Sequence, residues 1–145
     1  MASEGNRQAL VESDFLFGLR SSDARHPKVM KALGMQREGR LSLRVLSSAA
    51  LEVRAVLYSR GLGPKDVEEA FSLMAAMLAD HGVGESVPVE LADVIVAERL
   101  RGERADLGFF DSLHAASSKR LGLSLLSSEG VYQRLGLSVI DLDKL

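Results

Sequence analysis

The chain has 145 residues and a mass of 15.7 kDa, with 18 lysine and arginine residues against 20 aspartate and glutamate residues. This length fits one compact domain, and the 46% hydrophobic content excludes a disordered chain. The absence of cysteine excludes disulfide scaffolds, thiolate metal sites and cysteine nucleophiles, and three histidines leave few ligands for a histidine-built zinc site. With a net charge of −2, nucleic-acid binding would need a local basic patch.

The N-terminal segment MASEGNRQ lacks the apolar core of a signal peptide. No apolar run approaches the roughly 18 residues that a membrane span needs. We therefore expect a soluble cytoplasmic protein that has no membrane partner. Since thiols are absent and imidazoles few, metal or acid–base chemistry is left mainly to carboxylates.

Apolar patterning in the first half of the chain predicts strands and helices in alternation. In order, these are strand 9–11, helix 27–33, strand 41–45 and helix 49–60. Pro27 suits the first turn of its helix, and Gly34 is expected to end that helix. Ser47 and Ser48 are candidate N-caps for helix 49–60.

A helix that begins at Pro64 has apolar residues three or four positions apart, which predicts one buried stripe. The stripe comprises Val67, Ala70, Phe71, Met74, Met77 and Leu78. The predicted elements continue with an extended piece 87–89, helix 94–102, helix 109–121, strand 123–126, a helical turn 131–135 and strand 137–142. Strands that alternate with helices through short connections predict the α/β class, with a mainly parallel sheet covered on both faces.

Acidic residues lie where this fold would form a crevice. The segment Glu12-Ser13-Asp14 follows the first strand, and Ser127-Ser128-Glu129 follows strand 123–126. Glu52 lies in an apolar helical stretch, and Asp111 follows two phenylalanines. Ligands of open parallel sheets bind beyond the carboxyl ends of the strands, and a carboxylate in apolar surroundings is costly unless it is paired, protonated or bound to a cation.

Each acid also has an ordinary structural explanation. Asp111 can cap its helix, and Glu52 can pair with Arg54 or Arg44 or face solvent. Glu129 can be a first-turn residue favoured by the helix dipole, and Glu12 with Asp14 can form a solvated strand end.

A single pocket explains all of these acids together. Three to five carboxylates would share hard divalent cations, such as Mg²⁺ or Mn²⁺, which prefer oxygen ligands. Such a site suits phosphodiester hydrolysis, because the metal polarises the phosphate and activates water. Ser13, with Ser127 or Ser128, would orient a water or a ligating carboxylate by hydrogen bonding.

Three segments resemble the PIN domain family, which comprises metal-dependent ribonucleases and includes toxins of toxin–antitoxin pairs. They are ALVESDFLFGL, SSAALEVRAVL and FFDSLHAASSKRLGLSLLSSEGVYQRLGLSVIDL. The resemblance implies a single PIN-like domain over residues 1–145, with a three-layer α/β/α fold and a central, mostly parallel sheet. It implies catalytic roles for Glu12, Glu52, Asp111 and Glu129, and metal binding by these four residues together with Asp14.

The resemblance further implies a Mg²⁺- or Mn²⁺-dependent endoribonuclease with an RNA substrate, an antitoxin partner and a homodimeric assembly. Glu12 and Glu129 stand where the family usually has aspartate. Their extra methylene displaces the carboxylate, and a misplacement of about 1 Å can cost on the order of 100-fold in rate. The alternative function is therefore a catalytically weak or inactive PIN-like module that binds metal and RNA. In a more distant alternative, an unrelated α/β fold, the five acids would be scattered.

Other residues have open roles. His114 lies three positions after Asp111 on the same helical face, where it would either touch substrate or an acid, or pack as an ordinary buried histidine. Candidate phosphate contacts, for which solvated surface is the alternative role, are Arg37, Arg40, Arg44, Arg99, Arg101 and Arg104.

Overall fold

The structure, a computed structural model, describes residues 7–84 and 86–145. The segment MASEGNRQ is predicted to lack a signal peptide, and its first six residues lie outside the described residues. The described chain contains a five-stranded sheet in the order β3-β2-β1-β4-β5. Its strands are β1 (Arg7–Val11), β2 (Leu41–Leu46), β3 (Ser86–Val87), β4 (Ser124–Ser127) and β5 (Val139–Asp141). All four neighbouring pairs are parallel, as the sequence predicts.

Helices connect these strands. They are α1 (Ser13–Phe17), α2 (His26–Arg37), α3 (Ser47–Ser59), α4 (Pro64–Asp80), α5 (Leu91–Glu103), α6 (Phe109–Leu121) and α7 (Val131–Arg134), and a 3₁₀ turn (Leu142–Lys144) follows β5. Among the described residues, no helix combines the length and the apolar character that crossing a bilayer requires. The short helix α1 was not predicted, because its five residues are too few to show helical periodicity.

The sheet forms the middle layer of the fold. Ala9, Leu10 and Val11 of β1 are all 0% exposed, although successive side chains of a strand point to opposite faces. Leu125 and Leu126 of β4 are equally buried. Both faces of the central strands are therefore covered, which confirms the predicted α/β class and its sandwich of helix layers around a parallel sheet.

The strand order places a crevice between β1 and β4. From β1 the chain adds β2 and β3 on one side, and then returns to add β4 and β5 on the other side. Parallel sheets bind ligands at such a reversal point, beyond the carboxyl ends of the two strands. β1 ends at Val11, directly before Glu12, and β4 ends at Ser127, two residues before Glu129.

Several predicted boundaries differ from those of the structure, among them the following three. Gly34 does not end α2, which continues to Arg37, because burial of Met35 against the core outweighs the roughly 1 kcal/mol that a helical glycine costs. Ser47 and Ser48 do not cap α3, whose N-cap is Leu46, because β2 runs directly into the helix. The predicted strand 123–126 lies one residue later, as β4, so that Ser127 is the last residue of the strand.

An ion pair between the buried Asp93 of α5 and the exposed Arg120 of α6 fixes the two helices against each other. Asp93 is 1% exposed, and its carboxylate accepts hydrogen bonds from Arg120 Nε at 2.8 Å and from Ser117 Oγ at 3.1 Å. The same carboxylate accepts a hydrogen bond from the backbone N–H of Glu90, which completes a capping box at the start of α5. These contacts set the position of the helix that carries Asp111 and His114.

Candidate metal centre

Glu12 lies at the centre of the crevice and is 1% exposed. As the N-cap of α1, it accepts a hydrogen bond at Oε1 from the backbone N–H of Asp14, at 3.0 Å. Its Oε2 accepts a hydrogen bond from the Tyr132 hydroxyl at 2.8 Å. Burial, followed by the charges of Asp14 and Asp111, raises the pKa of Glu12 to about 9. The alternative of a solvated strand end is thus wrong for Glu12.

Asp111 lies on the other side of the same tyrosine. It is in the first turn of α6, and Gly108 is the N-cap, so the capping role considered for Asp111 is wrong. Its Oδ1 lies 3.2 Å from the Tyr132 hydroxyl. Burial raises the pKa of Asp111 as well. Because a phenol has a single proton, Tyr132 links two carboxylates that share one donor, an arrangement that is eased when Glu12 is protonated or a cation is present.

Glu52 projects from α3 into a chain of hydrogen bonds. Its Oε1 accepts from Ser13 Oγ at 2.7 Å and lies 2.8 Å from His114 Nε2. The other ring nitrogen of His114, Nδ1, lies 2.7 Å from Ser48 Oγ. Although partial burial opposes the shift, the bonds from His114 and Ser13 lower the pKa of Glu52. Glu52 therefore pairs with His114, not with Arg54 or Arg44, and the role of Ser13 in orienting a carboxylate matches the prediction.

Asp14 lies beside the cluster with both oxygens engaged. Its Oδ1 lies 2.5 Å from Arg25 Nη1, and its Oδ2 accepts from Ser128 Oγ at 2.8 Å. Glu129 is exposed in the loop after β4, where its backbone N–H donates to Ser127 Oγ at 2.9 Å. Partial desolvation, followed by the charges of Asp14, Asp111 and Glu52, raises the pKa of Glu129. Asp14 and Glu129 are thus close enough to the other carboxylates to influence their pKa values or be influenced by them.

The described residues include one group whose ligand atoms are close enough to hold a single cation. Glu12, Asp111 and His114 each offer one such atom, and these atoms lie within 4.8 Å of one another. Both nitrogens of His114 already have partners, Glu52 and Ser48, so the carboxylates are the freer ligands. Because His114 is itself held by Ser48, it holds the Glu52 carboxylate in one orientation.

Sequence reasoning missed three members of this site. Tyr132 follows β4 in a short helix and resembles an ordinary core aromatic, while Ser48 resembles a helix cap. Arg25 lies in the connection before α2, far from every acidic motif in the sequence except Asp14. The only available signal was the unusual cost of burying an isolated polar group, which requires a partner but does not name one.

Comparisons with known proteins bear on the fold. No protein family profile matches the chain, and no curated protein matches its sequence significantly. The structure of VapBC2 from Rickettsia felis, bound to a DNA fragment from its promoter, matches with a TM-score of 0.69 and 14% identity, over 92% of this chain and 98% of that one. FitAcB from Neisseria gonorrhoeae matches with a TM-score of 0.69 and 16% identity, over 94% and 99%. VapC20 from Mycobacterium tuberculosis, a Sarcin-Ricin loop cleaving toxin, matches with a TM-score of 0.66 and 16% identity, over 89% and 95%.

These similarities span nearly the whole length of each protein. The chain therefore has the fold of the VapC and FitB PIN-domain toxins, which confirms the predicted resemblance. The alternative of an unrelated α/β fold with scattered acids is wrong.

Proposed function

We propose that this protein is a PIN-type endoribonuclease that hydrolyses RNA phosphodiester bonds with Mg²⁺ or Mn²⁺, and that it acts as the toxin of a toxin–antitoxin pair. The convergence of Glu12, Asp111 and His114 in the crevice beside β1 and β4, with Glu52 hydrogen-bonded to His114, carries this proposal. The fold shared with VapC20, a Sarcin-Ricin loop cleaving toxin, supports the reaction class.

The residues present fit a hard divalent cation. Glu12, Asp111 and Glu52 offer carboxylate oxygens, and Glu129 with Asp14 would complete a second ion site or orient water. Burial and mutual repulsion raise the pKa of Glu12 and of Asp111, and a cation would relieve that repulsion. When bound, the metal would supply Lewis-acid polarisation of the phosphate and activation of water.

The surrounding residues have defined tasks in this mechanism. Tyr132 holds Glu12 and Asp111 side by side, while Ser13 and His114 fix the Oε1 atom of Glu52. The chain Ser48–His114–Glu52 sets the tautomer of the imidazole, because Nε2 must carry the proton to donate to the carboxylate, leaving Nδ1 to accept from the serine. Preorganised carboxylates avoid reorganisation when substrate arrives.

Partners follow from the same proposal. An antitoxin and a cytoplasmic location are supported by the fold shared with VapBC2 and FitAcB. A homodimer is supported by an apolar face of α5 that solvent reaches, where Leu91 is 80%, Ile95 51% and Val94 41% exposed. Grouped apolar exposure of this kind is typical of protein interfaces.

One observation favours the alternative of a weak or inactive metal- and RNA-binding module. The carboxylate of Glu12 is held by Tyr132 and by the Asp14 N–H, and its raised pKa keeps it protonated near neutral pH without a cation. A metal must then displace a proton at a side chain one methylene longer than the aspartate usual in the family.

We predict that the purified protein has metal-dependent ribonuclease activity. Purified protein with Mn²⁺ is expected to cleave a labelled single-stranded RNA, and EDTA is expected to stop cleavage. Gel analysis of the products, beside calorimetric titration with Mn²⁺, separates the two functions. Mn²⁺ binding without cleavage would favour the binding module, whereas cleavage that continues in EDTA would exclude the metal mechanism.

A further inference from the structure

Arg25 places a cation directly beside the acidic cluster. Its Nη1 lies 2.5 Å from Asp14 Oδ1, and the other oxygen of Asp14 accepts from Ser128. Burial and the neighbouring acids raise the pKa of Glu129, and the positive charge of Arg25 partly offsets that rise. The guanidinium is therefore close to acids that follow both β1 and β4.

The guanidinium is held in one orientation. Asp23 Oδ1 accepts from Arg25 Nε at 3.0 Å, and Asp23 Oδ2 accepts from Nη2 at 3.0 Å, so the carboxylate binds one edge of the fork. The backbone N–H of Arg25 also donates to Asp23 Oδ1, at 2.8 Å. A fork fixed at its side chain and its backbone loses little further entropy when it binds a ligand.

The connection that carries Arg25 is itself closely packed. His26 Nδ1 lies 2.9 Å from the carbonyl oxygen of Gly18, across the base of the segment. A Cβ atom at Gly18 would lie 2.4 Å from Val29 Cγ2 and 3.4 Å from Arg25 Cβ. Glycine at this position thus allows α1 to approach the start of α2 and brings Arg25 to the crevice.

The contacts with Asp23 and Asp14 leave part of the guanidinium free to bind. A guanidinium has five N–H groups, and these contacts engage one on each of its three nitrogens. The two that remain lie on Nη1 and Nη2, and the side chain is 30% exposed. Free N–H groups of a guanidinium donate to the oxygens of a phosphate.

A group that binds phosphate at this position would help the crevice to accept RNA. Each nucleotide brings a negative phosphate to a cluster that already contains Asp14, Glu52 and Asp111. Metal ions neutralise the carboxylates that bind them, but phosphates on either side of the reacting bond would still meet negative charge. His114 is 0% exposed and is hydrogen-bonded to Glu52, so it cannot contact these phosphates.

We propose that the guanidinium of Arg25 is a phosphate-binding site for the substrate RNA, which it contacts through its two remaining N–H groups beside the carboxylate cluster. This inference rests on the proposed function. It assigns Asp14 a second task besides the predicted metal binding, because Asp14 and Asp23 together aim the guanidinium. Arg25 is a substrate-binding residue here, and the metal is held by other side chains.

The test compares Arg25→Gln with Arg20→Gln, which removes the same charge from an exposed position in the same connection. Steady-state cleavage of a single-stranded RNA is measured in Mn²⁺ over a range of KCl concentrations, and Mn²⁺ binding is measured separately by calorimetry without RNA. Arg25→Gln is expected to raise KM at least about tenfold, because a charged hydrogen-bonded contact is lost. The slope of log KM against log KCl concentration is expected to fall by about 0.7, the change expected when one phosphate contact on a single strand is lost.

Mn²⁺ binding is expected to persist in Arg25→Gln, and Arg20→Gln is expected to keep the KM of the wild type. An unchanged KM and salt slope in Arg25→Gln would overturn the proposal, as would a loss of kcat that follows a loss of Mn²⁺ affinity. If Arg25→Gln does not fold, Arg25→Lys decides, since lysine keeps the charge but not the fork. A raised KM in Arg25→Lys supports the site, and wild-type behaviour contradicts it.

The proposed activity and this site can fail separately. If the wild type does not cleave RNA, the same variants are compared by fluorescence anisotropy with a labelled RNA in Mn²⁺. Weaker binding by Arg25→Gln alone would then support the phosphate site although hydrolysis has failed. If the wild type binds no RNA, both proposals are contradicted.

Discussion

Asp111→Asn is expected to reduce Mn²⁺-dependent RNA cleavage by at least about 100-fold, the scale on which small displacements of reacting groups act. The amide removes a negative charge and one anionic oxygen from the group formed with Glu12 and His114. It keeps the size of the side chain and an oxygen that can accept from Tyr132. The variant should therefore fold while binding the cation weakly, which gel assays and Mn²⁺ calorimetry will measure.

Asp66→Asn is the matched control for this change. Asp66 lies in the first turn of α4, as Asp111 lies in that of α6, but it is exposed. Both substitutions remove the same favourable interaction with a helix N-terminus, which contributes about 0.3–1 kcal/mol at exposed positions. Full activity in Asp66→Asn, with loss in Asp111→Asn, would isolate the metal role. Equal activity in the two variants would contradict it.

Mn²⁺ affinity is expected to rise by about tenfold per pH unit between pH 6 and pH 8, because a metal at Glu12 must displace its proton. The pKa of the Glu12 carboxyl is raised to about 9 by burial and by neighbouring acids, so the group is protonated in this range without metal. Calorimetry in buffers of different ionisation enthalpy will show release of a proton. Glu12→Gln should remove that release, whereas Glu98→Gln, an exposed change on α5, should not.

The same pKa predicts the direction of a stability change. An ordinary glutamate in the unfolded chain titrates near 4.3, while folded Glu12 keeps its proton to about pH 9. The folded state therefore binds more protons across this interval, so the contribution of Glu12 to stability declines as pH rises through it. Chemical denaturation without metal should show this decline, and Mn²⁺ should offset it. If the free energy of unfolding without metal does not change from pH 6 to pH 9 in either the wild type or Glu12→Gln, the raised pKa assigned to Glu12 is contradicted.

The topology and the acidic positions could be predicted because they depend on local patterns. Apolar runs at 9–11 and at 123–126, the second interrupted only by Ser124, indicate strands buried on both faces, and parallel strands bring their carboxyl ends to one edge. Glu12 follows the first run directly and Glu129 follows the second after two serines, so their proximity follows from topology. Asp111 and Glu52 could be placed because each interrupts an apolar helical stretch.

The hydrogen-bond partners could not be predicted, because they depend on how distant elements pack. Tyr132 meets Glu12 across 120 positions of sequence, and Ser128 meets Asp14 across 114. No local pattern encodes these pairs. Ser48 shows the same limit, since a serine before a helix is normally a cap and here bonds to a histidine on α6.

The most direct test of the central claim is to locate the cation. Crystals soaked in Mn²⁺ and measured with anomalous diffraction are predicted to show a manganese peak among the carboxylates of Glu12, Asp111 and Glu52. The peak should vanish in Asp111→Asn and persist in Asp66→Asn. Manganese bound only at other surfaces, in crystals of protein that cleaves RNA, would contradict the proposed metal centre.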